Sequence, residues 1–265
     1  MTPGPHGAVG EGGPAVSEPL VSFRNVSKAY GAVRALDGAS FSIDAGEVVA
    51  LVGVNGAGKS TLVKVMAGTI LPDTGEILFE GRPVRIHHPN DATALGIATV
   101  YQDLALCNNL DVVANLFLGH EENQGTVLDE VEMERETRDL LAELAIHPRS
   151  LRVPIGSLSG GQRQSVAIAR SLLGKPRMVI LDEPTAALGL AQKQQVLDLI
   201  KRLQARGLAV VLISHNLAEV FEVCDRVEVL RLGRNVASYP CDEKHRDDVV
   251  AAITGARMIS AAASS

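Results

Sequence analysis

Nine residues, Gly53-Val54-Asn55-Gly56-Ala57-Gly58-Lys59-Ser60-Thr61, follow the short apolar run Val48-Val49-Ala50-Leu51-Val52 and constrain everything around them. They fit the pattern G-x-x-x-x-G-K-[ST]. Glycines let successive backbone N–H groups turn inward into a concave anion nest that side chains would crowd. Lys59 adds a point charge suited to β- and γ-phosphates, and the Ser60 hydroxyl suits a Mg²⁺ ligand. A helix beginning at Lys59 aims its N-terminal dipole at the same place. The alternative is a glycine-rich turn that matches by accident. At average residue usage, the four fixed positions match in a chain of this length on the order of one time in a hundred. The reading is a phosphate cradle.

Composition narrows what surrounds it. At 265 residues the chain can bury a core as one large domain or two small ones. A formal net charge of −6 offers no basic field for nucleic-acid phosphates. Five Phe, three Tyr and no Trp leave little for a base-stacking platform, so nucleic acid is not an expected partner. Cys107, Cys224 and Cys241 are odd in number and widely spaced, which suits reduced thiols better than disulfides or a zinc site. No stretch approaches the ~20 apolar residues of a membrane span, and no signal-peptide pattern opens the chain. A membrane role would work through a partner.

Residues 1–18, rich in Gly and Pro, read as a disordered leader. Strands are expected at 20–26, 33–43 and 48–52, a helix at 59–67 ended by Gly68, and short strands at 75–79 and 83–86. From 90 to 172 the pattern is mostly helical, with helices at 127–146 and 161–173. Two fully apolar runs, 178–181 and 208–213, alternate with a helix at 192–206, the signature of parallel strands buried on both faces. A hairpin around Gly233 (227–232 and 235–239), a helix at 247–253 and a frayed end complete the chain.

Three further features carry chemistry. Asp182-Glu183 ends the run 178–181; beside a phosphate cradle, such an acid can hold Mg²⁺ and its neighbour can activate water. A helix cap or turn is the bland reading of the pair, and the cradle upstream reverses those odds. Leu158-Ser159-Gly160-Gly161-Gln162 precedes a helix without any charge. Its plain reading is an N-cap serine with a glycine turn, and its sharper one is a second anion site. His215 follows the run 208–213, where a lone histidine is more often structural.

The order of these stretches resembles that of the ATP-binding cassette (ABC) ATPases. Residues 53–61, the Gln102 stretch, 158–162, 178–183 and His215 occur in the family's sequence, and Leu158-Ser159-Gly160-Gly161-Gln162 matches its signature motif at every position. The match covers roughly residues 20–255. It implies an α/β P-loop NTPase with a mixed or parallel sheet core, an antiparallel β subdomain and an inserted α-helical subdomain at about 103–173. The ABC ATPase domain would span 19–258, with a frayed tail at 259–265. The implied cofactors are ATP and Mg²⁺.

The same resemblance implies roles residue by residue. Gly53, Asn55, Gly56, Ala57, Gly58, Lys59, Ser60 and Thr61 would bind the phosphates, and Tyr30 would stack on adenine. Ser60, Gln102 and Asp182 would attend the metal. Glu183 would be the general base, Gln102 would reach the attacking water, and His215 would contact the γ-phosphate. Ser159, Gly160, Gly161 and Gln162 would cap ATP held by a second copy in a head-to-tail dimer.

One departure stands out: Gly189 occupies the position where many members place an aspartate that contacts the opposing cradle. Residues 96–119 and Ala186-Ala187-Leu188-Gly189 are similar to the ATPases of bacterial simple-sugar importers, so Gly189 reads as a subfamily trait. The resemblance therefore implies a peripheral ATPase at the cytoplasmic face of the membrane. It would dock on an integral-membrane permease and depend indirectly on an extracytoplasmic sugar-binding protein. An importer of another small solute, or a nucleotide-gated assembly module with little hydrolysis, are the alternatives.

Overall fold

The computed structural model describes residues 18–124 and 127–256. The expected leader, apart from Glu18, and the expected tail at 259–265 lie outside the described residues. The chain begins with β1 (Val21–Tyr30), β2 (Val33–Ile43) and β3 (Val48–Val52), followed by the glycine loop and α1 (Lys59–Met66). Then come β4 (Thr74–Phe79), β5 (Arg82–Val84), α2 (Pro89–Ala94) and β6 (Ile97–Val100). The middle carries α3 (Val112–Phe117), the minute strands β7 (Asn123–Gln124) and β8 (Val127–Leu128), α4 (Glu130–Glu143) and α5 (Gly160–Leu172). The last part alternates: β9 (Met178–Asp182), α6 (Leu190–Ala205), β10 (Ala209–Ile213), α7 (Leu217–Val223), β11 (Arg226–Arg231), β12 (Arg234–Pro240) and α8 (Arg246–Thr254).

Two main sheets result. One is antiparallel, in the order β2-β1-β4-β5; the other runs β12-β11-β3-β10-β9-β6, parallel from β11 to β6 with β12 antiparallel at one edge. The fully apolar runs are its central strands. Every residue of β3 and β10 is buried, and a period of two sorts their side chains onto opposite faces. Val48, Ala50, Val52, Val210 and Leu212 join a core with α5, α6 and α7. Val49, Leu51, Val211 and Ile213 join a second core with α1 and the antiparallel sheet. Polar side chains on either face would forfeit about 1.5–3 kcal/mol per buried aliphatic, so the two-sided burial accounts for the unbroken apolar runs.

Three expectations need correction. The helix expected at 127–146 is shorter, because Asp129 caps it: its carboxylate accepts from the Glu132 N–H at 3.1 Å, with Glu130 and Glu132 favourably placed in the first turn. Val127 and Leu128 instead pair with β7, and the helix gives out at Leu144, before Ala145 at φ 52°. The mostly helical stretch contains β6, a parallel edge strand on β9. Its four residues, Ile97-Ala98-Thr99-Val100, are too few to show a period. Finally, α6 starts at Leu190, two residues early, and α7 was not foreseen although Asn216 caps it by accepting from the Ala218 N–H at 3.1 Å.

Candidate active site

Sheet register brings the singled-out residues together. Ile213 of β10 lies opposite Leu51 of β3 on one side and Asp182 of β9 on the other. Val100 of β6 lies opposite Leu181. The carboxyl ends of four parallel strands therefore open at one level, and from them emerge Gly53, His215, Glu183 and Gln102. Loops at this end of an open α/β sheet form its binding crevice.

The glycine loop is held from beneath by the β11–β12 hairpin. Gly233 N–H donates to Ala57 O at 2.9 Å, and a Cβ at Gly53 would sit 2.2 Å from Leu230 O. Gly58, at φ 107°, opens α1, and a Cβ there would lie 2.6 Å from Ala35 O. These positions require glycine because backbone occupies the space. Lys59 Nζ donates to Gly53 O at 2.7 Å and Val54 O at 3.1 Å, folded back over the loop. Ser60 is exposed on the first turn and Thr61 is half-buried behind it.

Opposite the loop stand two carboxylates. Asp182 is half-buried, and its pKa is raised by burial first and by Glu183 next, with Lys59 pulling the other way. Lys59 is lowered by burial, against the attraction of Glu183 and Asp182. Glu183 has φ 50°, a left-handed conformation that costs a residue with a side chain roughly 1–2 kcal/mol. Its N–H donates to Ile213 O at 2.9 Å, and Oε2 lies 2.8 Å from His215 Nδ1. The Glu183 side chain is 17% exposed and that of His215 is 76% exposed.

Two carboxylates beside one lysine leave the crevice short of positive charge, and the oxygen donors of Ser60, Gln102 and Asp182 suit a hard cation such as Mg²⁺. Among the described residues no cluster of three or more His, Cys, Asp and Glu could hold a metal. An ion held by those donors would complete its coordination with phosphate oxygens and water.

A pH-dependent outcome follows from Asp182. A carboxyl whose folded pKa is raised costs stability above that pKa, and the cost is relieved as pH falls through it. Metal-free Asp182→Asn protein is therefore expected to melt higher than the parent at pH 7–8. The gain should shrink towards about pH 4, where the unfolded carboxyl is also protonated. Scanning calorimetry across that range checks it, and an unchanged or lower melting temperature near neutrality contradicts it.

Gln102 is exposed at the start of the loop after β6. Two residues absent from the sequence reading hold that loop. Buried Asn115 accepts from Cys107 N–H at 2.8 Å and donates to Cys107, Leu110 and Asp111 carbonyls. Arg170 of α5, its pKa lowered by burial, donates to Leu104 O and Ala105 O at 2.8 and 2.9 Å. The loop bearing Gln102 is thereby fastened to α5. No local signal marks either residue: α5 also buries Gln164 and Ser165, so a polar side chain on it does not stand out.

Ser159 and Gln162 start the same helix. Ser159 N–H donates to Gln162 Oε1 at 3.0 Å and Ser159 Oγ accepts from Gln162 N–H at 3.2 Å, a capping box. Gly160 and Gly161 let this end approach α6: Cβ atoms there would lie 2.9 Å from Leu188 Cδ2 and Gln192 Cβ. Within one chain, Ser159 and Gln162 bond to each other and serve as the start of α5. Tyr30 stands at the end of β1, 47% exposed. Gly189 is the exposed N-cap of α6, where glycine costs only a few tenths of a kcal/mol against aspartate.

A glycine cradle after a buried strand, with its lysine facing an Asp-Glu pair on a neighbouring strand end, defines a P-loop nucleotide-binding protein. The chain belongs to the ABC transporter family, whose pattern it matches over residues 36–186, more than half its length. It is 43% identical over 235 residues to the xylose/arabinose import ATP-binding protein XylG of Sulfolobus acidocaldarius, covering 89% of this chain and 94% of that one. It is also 43% identical over 248 residues to the fructose import ATP-binding protein FrcA of Rhizobium meliloti, covering 91% and 95%. Against the ribose import ATP-binding protein RbsA 2 of Rhizobium meliloti, at 42% identity, it spans only 46% of the relative. Among solved structures, the ADP conformation of an ATP-binding cassette superposes with a TM-score of 0.79 at 27% identity, covering 90% of this chain and 99% of that one. A dimeric post-hydrolysis cassette bound to ADP and Pi gives 0.71 at 25% identity, covering 84% and 99%. The protein is accordingly an ABC-type ATPase.

Proposed function

We propose that this chain is the ATP-hydrolysing subunit of an importer of simple sugars, working as a pair of copies on the cytoplasmic side of a membrane permease. The names of relatives that match across nearly their whole length support the cargo class. No described helix is long and apolar enough to cross a membrane, which fits a subunit that reaches the membrane through a permease. The extracytoplasmic sugar-binding protein belongs to the same proposal. So does the division into an ATPase domain at 19–258 with a helical subdomain near 103–173.

The observation that carries the mechanism is the contact between Glu183 and His215, at the strand ends facing Lys59. In this reading Gly53, Asn55, Gly56, Ala57 and Gly58 surround the phosphates with N–H groups, and Lys59 turns from its own loop carbonyls to the β- and γ-phosphates. Ser60 and Thr61 begin the helix whose dipole faces them. Mg²⁺, when bound, neutralises the charge developing on the phosphoryl oxygens; Ser60, Asp182 and Gln102 would hold it.

Glu183 takes the proton of the attacking water, and His215 fixes the Glu183 carboxylate and reaches the γ-phosphate. Tyr30, already exposed, offers its ring face to adenine. Ser159 accepts from its own helix but keeps a hydroxyl proton to donate. With Gly160, Gly161 and Gln162, it would close over ATP held by the second copy.

Purification of the tagged chain from membranes, with identification of what accompanies it, tests the assignment. A permease and a sugar-binding protein are the expected companions. Ribosomal proteins, or a permease paired with a binding protein for another solute, would overturn the cargo class.

A further inference from the structure

A buried carboxylate outside every motif above sits behind the site. Glu219, in the first turn of α7, is 6% exposed. Its Oε2 accepts from Thr185 Oγ1, two residues beyond Glu183. Its Oε1 accepts from Asn216 Nδ2 at 2.8 Å, one residue beyond His215, and from Lys193 Nζ at 2.9 Å in the first turn of α6. One side chain thus joins the turn after β9, the loop after β10 and the start of α6.

A buried carboxylate is tolerated only when its oxygens are satisfied, so these three partners and Glu219 hold one another in place. The Glu183–His215 hydrogen bond spans the first two of those segments from the solvent side, and Glu219 spans them from the core side. Thr185 is buried as well, so its hydroxyl has lost the option of water.

We propose that Glu219 is a positioning residue for hydrolysis: it fixes from behind the separation of the backbone segments that carry Glu183 and His215. The inference rests on the roles given to those two residues above. Through Lys193 the same carboxylate reaches α6, whose Gln192 packs against Gly161 at the start of α5, 2.9 Å from where a Cβ would lie. The link therefore runs from the base to the helix start that would meet a second copy. Because Glu219 touches neither phosphate nor metal, its loss should act on the chemical step and leave ATP binding alone.

Four variants test this by phosphate-release kinetics on the protein with its permease, with ATP affinity and melting temperature measured alongside. Glu219→Gln keeps the shape and is expected to lower kcat by roughly 10- to 100-fold, the scale of a small misplacement, with KM within about three-fold. Thr185→Val should lose a similar factor, whereas Thr185→Ser, which keeps the hydroxyl, should stay near the parent. The double variant Glu219→Gln/Thr185→Val should be no slower than the slower single one, since both break one link.

Folded Glu219→Gln protein with parental kcat would overturn the inference, as would equal losses for the valine and serine variants. A rise in KM at constant kcat would do the same. If Glu219→Gln does not fold, the Thr185 pair decides. Glu183→Gln serves as the control in the same assay: undiminished turnover there removes the base assignment itself, and this inference with it.

Discussion

Glu183→Gln protein is expected to bind ATP within a few-fold of the parent, to remain dimeric longer in its presence, and to release phosphate at least ~100-fold more slowly. The substitution is close to isosteric. It keeps the left-handed backbone at φ 50° and an oxygen to face His215 Nδ1, now 2.8 Å away, so the strand end should not rearrange. What disappears is the group that accepts the proton of water. Removing one of two carboxylates beside Lys59 also lowers the negative potential that ATP must enter, which favours the closed, nucleotide-bound pair. Phosphate release, equilibrium ATP binding and sedimentation of the ATP-bound protein check the three parts separately. Turnover at the parental rate would remove Glu183 from the mechanism.

Lys59→Ala should act on binding itself. Its ammonium is the cation placed between the loop carbonyls of Gly53 and Val54 and the Asp182–Glu183 pair, and it is half-buried, where a charge–phosphate bond is screened less than in water. The loss of one charge-assisted contact, about 1.5–3 kcal/mol, corresponds to a roughly 10- to 150-fold weaker affinity for ATP. Alanine suits the first turn of α1, and Gly58 retains its contacts, so the fold should persist. Calorimetric titration with ATP and Mg²⁺ measures the effect. An affinity equal to the parent would mean that the lysine stays with its own carbonyls when nucleotide binds.

The contrast between Glu183 and Glu219 shows where sequence reading stops. Glu183 was legible because it ends an apolar run and follows a cradle upstream, features that are local and ordered along the chain. Glu219 lies in a short helix with no distinguishing neighbours. Its partners Thr185 and Lys193 are 34 and 26 residues away, and only the pairing of β9 with β10 and the packing of α6 against α7 bring them together. Arg170 and Asn115 are similar cases, since nothing in their surroundings says that they fasten the Gln102 loop. The strand β6 was missed for another reason: four residues at a sheet edge carry too little period to outweigh the helical stretches on either side.

The sequence by itself determined the cradle, the buried parallel strands and the order of the chemical residues, because glycine spacing and unbroken apolar runs are imposed by backbone sterics and two-sided burial. Register was decided by the tertiary structure. Only the pairing of Ile213 with Leu51 and Asp182 sets the cradle, the base and the histidine at one level, because strand alignment is fixed by side chains packing from both faces of the sheet. The same holds for the space under Gly53, which Leu230 O fills from a hairpin almost 180 residues away. A pattern along the chain states which groups are needed; their separations are set by the core beneath them.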